Sequence, residues 1–194
     1  ITQAQQVEVT LNNGGVVKGE TPSLSFYVDN DHEIIVKDKA SGEKHDFTST
    51  DVKEIKYYDK KAKEWMNWIP MVAQMGMSMS YKKEPKLYKN PIFLHPVYEG
   101  KNISAYIHYI STATHVKSGS FYGFGIMYYY KAKNEDFARS YYLKENGITL
   151  GQKTMLKRYF QEYPQTKEVL KDLDMKEFRK DPALFVKKLD EMIK

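Results

Sequence analysis

The chain has 194 residues, 41% of them hydrophobic and 28% charged, so it can bury a core of its own, and the composition is not that of a disordered segment. The absence of cysteine excludes disulfides, thiolate catalysis and cysteine-ligated zinc. The net charge of +5 would admit an anionic partner, but acids and bases alternate from Gln152 to Lys194, as in Lys167-Glu168 and Lys171-Asp172, which is the pattern of a solvated helix face and argues against nucleic acid.

In chain order, Ile1-Thr2-Gln3-Ala4-Gln5-Gln6 looks like the end of a bacterial secretory signal cleaved near Ala4; the alternative is the N-terminal tail of a cytosolic protein. The first reading makes the chain exported, periplasmic or attached to the cell envelope, with its signal peptide removed. Residues 7–58 then read as a small antiparallel sheet or half-barrel. Val7-Glu8-Val9-Thr10-Leu11 alternates, Asn12-Asn13-Gly14-Gly15 turns, and Val16-Val17-Lys18-Gly19 resumes the strand. Leu24–Val28 and Glu33–Lys37 are further strands around an Asp29-Asn30-Asp31 turn. Ser41-Gly42 turns the chain again, and a short turn near Ser49 leads into a strand ending at Tyr57-Tyr58.

Residues 59–91 form an irregular connector rich in tryptophan and methionine. An antiparallel meander over 92–150 follows, with strands at Ile92–His95, Ile103–Tyr109, Phe121–Lys131 and Arg139–Lys144. Sixteen tyrosines and nine phenylalanines suit half-buried sheets. Residues 151–194 are helical, the four segments together making one compact assembly. Met155, Leu156, Tyr159, Phe160 and Tyr163 share a face that ends at Pro164, Thr166 is a candidate cap, and Asp181-Pro182 starts a helix burying Leu184, Phe185, Leu189 and Ile193. The fold class is therefore α+β, mainly β, with two or three C-terminal helices. No apolar run reaches the roughly 18 residues of a transmembrane helix.

The segments "VEVTLNNGGVVKGE", "FTSTDVKEI", "GKNISAYIHYI", "YYLKENG" and "LKRYFQEYPQ" together resemble uncharacterised, signal-bearing exported proteins of Bacteroidetes-type bacteria. That resemblance implies export and supplies no activity. The front unit also resembles Sm-like small barrels, but Ser49-Thr50-Asp51-Val52 stands where an Arg-Gly pair would be needed, and Asp51 would repel phosphate, so RNA binding is not carried over.

Met75, Met77 and Met79 are a candidate Cu(I) site, because soft thioethers select a soft ion and alternate positions of a strand share a side. The competing reading makes the methionines gap-filling core residues beside Trp65 and Trp68. A third lets the segment meet a lipid surface or partner, flanked by Lys60, Lys61, Lys63, Lys82 and Lys83. The five histidines show no close metal spacing. Asp29–Glu33 lacks the glycine and the terminal acid of a calcium loop. Ser80-Tyr81-Lys82-Lys83 fits Ser-x-x-Lys without the accompanying motifs.

Gly123-Phe124-Gly125 superficially matches an RNA-recognition strand, but the basic position is Tyr122 and one stacking position is Ile126. Its strand is expected to be structural, with an exposed tyrosine face for a glycan as the functional version. Tyr122, Phe124, Tyr128, Tyr130, Trp65 and Trp68 are thus the candidate ligand contacts. Together these readings point to a non-enzymatic exported binding module without a cofactor, with protein, glycan or an envelope surface as partner. A hydrolase whose site is not readable from sequence and a Met-rich copper protein are the alternatives.

Overall fold

A computed structural model describes residues 5–21, 33–60, 63–77, 81–116, 119–144 and 152–193, with side chains left out at 111–116 and 119–124. Ten strands form one antiparallel sheet: β1 (Gln5–Leu11), β2 (Val16–Thr21), β3 (Glu33–Asp38), β4 (Lys44–Thr48), β5 (Val52–Asp59), β6 (Glu64–Met71), β7 (Ile92–Tyr98), β8 (Ile103–Val116), β9 (Gly119–Ala132) and β10 (Arg139–Lys144). Four helices follow: α1 (Gln152–Tyr159), α2 (Thr166–Asp172), α3 (Met175–Lys180) and α4 (Ala183–Met192). The sheet order is β10-β9-β8-β7-β6-β5-β1-β2-β3-β4, so the α+β, mainly β class holds.

In the front half the period-two pattern decides which side chains are buried. Val7 and Val9 of β1, Ile34 and Val36 of β3, and Ile55 and Tyr57 of β5 share a core with Trp68 and Phe93. Two strands separate β3 from β5 in the sheet, so this shared core requires the sheet to curl. Tight turns set the register. Gly14 and Gly42 sit at φ +88° and +75°, and the Asn13 side chain accepts a hydrogen bond from the Gly15 N–H at 2.9 Å. Gly19 pairs with Asp38, and a Cβ at Gly19 would run into the Lys37 carbonyl, so β2 and β3 approach closely where only glycine fits.

Three differences from the sequence reading have local causes. The 59–91 connector contains β6, whose residues pair with β5 from Ile55↔Trp68 to Asp59↔Glu64. The helical tail divides into four, one more than expected, because Asp174 accepts the N–H groups of Lys176 and Glu177 and starts α3. Thr166 does not cap α2; its hydroxyl donates instead to the Phe160 carbonyl at 2.7 Å. Asp181 performs as expected, accepting the Ala183 N–H at 3.1 Å. The strand and turn expected over 24–32 lie outside the described residues.

Among the described side chains, the back half of the sheet carries a core on each face. On one, Ile103, Ala105, Ile107, Tyr128, Tyr130, Tyr141 and Tyr142 meet Leu156, Phe160, Phe178, Phe185 and Leu189 of the helical segment. On the other, Met127 and Tyr129 pack with Ala73, Ile92, Leu94 and Ala138. Tyrosine serves here better than phenylalanine because its hydroxyl can bond backbone carbonyls of the helical segment while its ring packs. Tyr130 donates to the Tyr159 carbonyl and Tyr141 to the Pro182 carbonyl, both at 3.0 Å.

The helices are fixed to the sheet by Asp190, which is 7% exposed. Its carboxylate accepts the N–H groups of Lys101 (3.0 Å), Asn102 (2.7 Å) and Ile103 (3.0 Å) and the Tyr98 hydroxyl (2.9 Å). Gly100 makes the close approach feasible, since a Cβ there would lie 2.6 Å from Asp190 Oδ2. Burial works to raise the Asp190 pKa, but the hydrogen bonds from Asn102, Tyr98, Ile103 and Lys101 outweigh it and leave the pKa below its usual 3.8.

Two stability tests follow from these contacts. Asp190→Ala is expected to cost about 3 kcal/mol in urea unfolding, since it strands several buried N–H groups. A depressed carboxylate pKa stabilises the fold fully above the unfolded value near 3.8, and that contribution fades as pH falls through the folded value. The stability gap between wild type and Asp190→Ala should therefore narrow in acid. At the other extreme, burial first and then neighbouring negative groups push Tyr128 and Tyr163 up to about 12. A phenol raised from 10 stabilises the fold fully below pH 10 and ceases to do so as pH passes 12. Tyrosinate absorbance and circular dichroism should consequently change together in that interval, whereas ionisation of these tyrosines near pH 10 in a still-folded chain would contradict their burial.

Candidate ligand trough

Strand parity separates the two tryptophans. Trp65 and Trp68 are three residues apart on β6, so they point to opposite faces of the sheet. Trp68 is fully buried, packed between Tyr57, His95 and Tyr109. Trp65 is 52% exposed and meets Tyr58 edge-on, with ring centroids 5.6 Å apart.

An exposed indole needs an explanation, because burying it would be favourable. Trp65 borders a trough of about 540 Å³ whose walls come from β1, β2, β3 and the turn after β3. Those strands put Val7, Val9 and Val36 into the core, which leaves the alternate residues Gln6, Glu8, Lys18, Glu20 and Lys37 outside. Asp38, Lys39 and Gly42 complete the lining. Lys18 Nζ lies 2.9 Å from Glu8, and Asp38 accepts the Ala40 N–H at 2.7 Å. Three lysines therefore face three carboxylates, so the trough carries donors and acceptors of both kinds without a dominant charge. Such a lining beside an aromatic plane suits a polar, uncharged ligand that has one apolar face.

The other sequence candidates are distributed elsewhere. Tyr128 and Tyr130 are 7% and 2% exposed and belong to the helix-covered core, which removes them as ligand contacts. Trp68 is removed for the same reason. Tyr122 and Phe124 lie outside the residues whose side chains are described. Met75 is exposed and Met77 is packed against the back cores, with Gly76 between them at φ +63°, so this pair does not follow strand alternation. Met79 lies outside the described residues.

That segment is instead fastened by Arg139, which is 6% exposed. Its guanidinium donates to Glu135 at 2.7 Å and to the Lys82 and Lys83 carbonyls at 2.9 and 3.0 Å, and lies over the rings of Phe137 and Tyr81. Ser140 adds a hydrogen bond to the Gly76 carbonyl. Nearby, Glu135 and Glu162 line one cavity of about 510 Å³ with Tyr163. Of these two carboxylates, Glu135 is paired with Arg139 at 2.7 Å.

His95 and His108 share the sheet, yet each directs Nδ1 at a backbone carbonyl, Asn67 at 2.6 Å and Phe93 at 3.0 Å respectively. Among the described residues no three His, Asp or Glu side chains cluster to hold a metal, and no helix is long and apolar enough to cross a membrane.

Exposure of Trp65 is checked by acrylamide quenching. One tryptophan should be accessible and one shielded, and Trp65→Phe should remove the accessible component; loss of the shielded component instead would reverse the assignment. Comparison with protein-family models, curated proteins and solved structures finds no match to this chain, so its functional reading rests on its own geometry.

Proposed function

We propose that the chain is a non-enzymatic, exported binding module that holds a neutral glycan in the trough beside Trp65. The observation that carries this reading is the half-exposed indole bordering a concave surface of balanced polarity. A sugar ring offers an apolar face of C–H groups to stack on the indole, and its hydroxyls both donate and accept, matching Gln6, Glu20, Lys37 and Asp38. The strands supplying these side chains are hydrogen-bonded to one another, so little order has to be gained on binding.

Export is supported by the resemblance to exported bacterial chains. It places the trough where envelope or environmental glycans are met. Fractionation of cells producing the native gene product tests that element directly, with recovery in the cytosol alone as the contrary result.

Binding is tested by screening neutral oligosaccharides against the intact protein and following tryptophan emission. A ligand should shift the emission of the wild type, and Trp65→Ala should weaken binding by roughly tenfold or more, as expected for an aromatic anchor. Trp65→Ala should leave the melting temperature nearly unchanged because the side chain is half in solvent. A glycan whose affinity is indifferent to Trp65 would place the site elsewhere.

A further inference from the structure

A third concavity, of about 380 Å³, lies at the base of the β8–β9 hairpin, lined by Gly100, Lys101, Asn102, Ser104, Tyr106, Lys131, Ala132 and Lys133. Three of these residues are lysines and none is acidic. Lys101, Lys131 and Lys133 make no ion pair among the described residues, although several other lysines of the chain do. Carboxylates close by stand outside this lining: Asp190 is taken up by the Lys101, Asn102 and Ile103 N–H groups and the Tyr98 hydroxyl, and Glu135 and Glu162 line the neighbouring cavity that Lys133 also borders. Glu99 lies close enough to act on Tyr106, but it does not line the concavity.

The backbones carrying the lysines are fixed. Lys101 is held through its own N–H by Asp190. Lys131 stands opposite Ser104 in the β8–β9 register. The Lys133 N–H donates to the Asn102 carbonyl at 2.8 Å, and the Asn102 side chain donates to the Ile193 carbonyl. Ser104 and Asn102 add polar groups between the lysines, with the Ser104 hydroxyl accepting the Gly100 N–H at 3.2 Å. Three lysines whose backbones are held by these bonds line one small concavity, and their cationic side chains suit the charge and the several acceptor oxygens of a tetrahedral oxyanion.

We propose that Lys101, Lys131 and Lys133 form a cradle for a phosphate or sulfate group carried as an ester on a larger ligand. The cradle shares no lining residue with the Trp65 trough, so either site can stand without the other.

The test is a titration of the intact protein with inorganic phosphate and inorganic sulfate at constant ionic strength, with chloride as the control, followed by amide shifts of residues 100–106 and 131–133. Saturable shifts are expected for the two oxyanions and not for chloride. Lys131→Gln with Lys133→Gln should raise the dissociation constant by roughly tenfold or more. Lys187→Gln, on the outside of α4, should leave it unchanged. Glucose 6-phosphate, glucose 6-sulfate and vesicles containing phosphatidic acid then separate the sources: preference for a sugar ester assigns a glycan, and vesicle binding lost in the double variant assigns a lipid headgroup. Absence of saturation, or affinity equal in the wild type and a folded double variant, would overturn the proposal.

Discussion

The back half of the molecule depends on one carboxylate. Asp190, near the end of the last helix, receives three consecutive backbone N–H groups of the turn before β8 and a tyrosine hydroxyl from β7. Buried charge is costly unless it is hydrogen-bonded, and here the compensation comes mostly from groups that cannot move away. The same bonds satisfy N–H groups that the turn would otherwise leave without strand partners. Glycine at position 100 is what allows the carboxylate to come this close. Helix and hairpin are thereby held in one register, over which the aromatic core closes.

That core explains why the tyrosine content is high without requiring a binding surface. Tyr128, Tyr130, Tyr141 and Tyr142 stack edgewise or tilted against one another and against Phe160 and Phe178. Their rings fill the layer between sheet and helices, and the hydroxyls of Tyr130 and Tyr141 close hydrogen bonds to helical-segment carbonyls. In the front half the sheet is covered on its inner side by its own curl, so its outer side stays free to carry polar function. The edge strand β4, Lys44-His45-Asp46-Phe47-Thr48, is short and charged, which discourages pairing with another chain.

Much of this architecture was legible in the sequence because alternation and turn chemistry are local. Val7-Glu8-Val9 and the Asn12–Gly15 turn specify the first hairpin without help from the rest of the chain. Asp181-Pro182 likewise marks the start of α4. The strand β6 was obscured because Trp65, Met66, Trp68, Ile69 and Met71 are all large and apolar, which hides a period of two. Strict parity nevertheless separates Trp65 from Trp68, and that signal could have singled out the exposed indole. The remaining features are not local at all. Asp190 and its turn are 87 to 89 residues apart in sequence, and Arg139 reaches carbonyls 56 and 57 residues away. No spacing rule reports such pairings. The trough is equally non-local, since its walls come from several strands and its shape depends on how the sheet curls.

Both concavities lie on strands and turns whose backbones are hydrogen-bonded in place. The Trp65 trough is lined where β2 and β3 approach closely at Gly19, and the lysine concavity borders the turn that Asp190 holds. The most direct measurement of that central constraint is amide hydrogen exchange at Lys101, Asn102 and Ile103. Slow exchange is expected at all three in the wild type, with a joint loss of protection in Asp190→Ala while the β8–β9 core amides stay protected. Fast exchange at these three amides in the wild type, or protection that survives removal of the carboxylate, would contradict it.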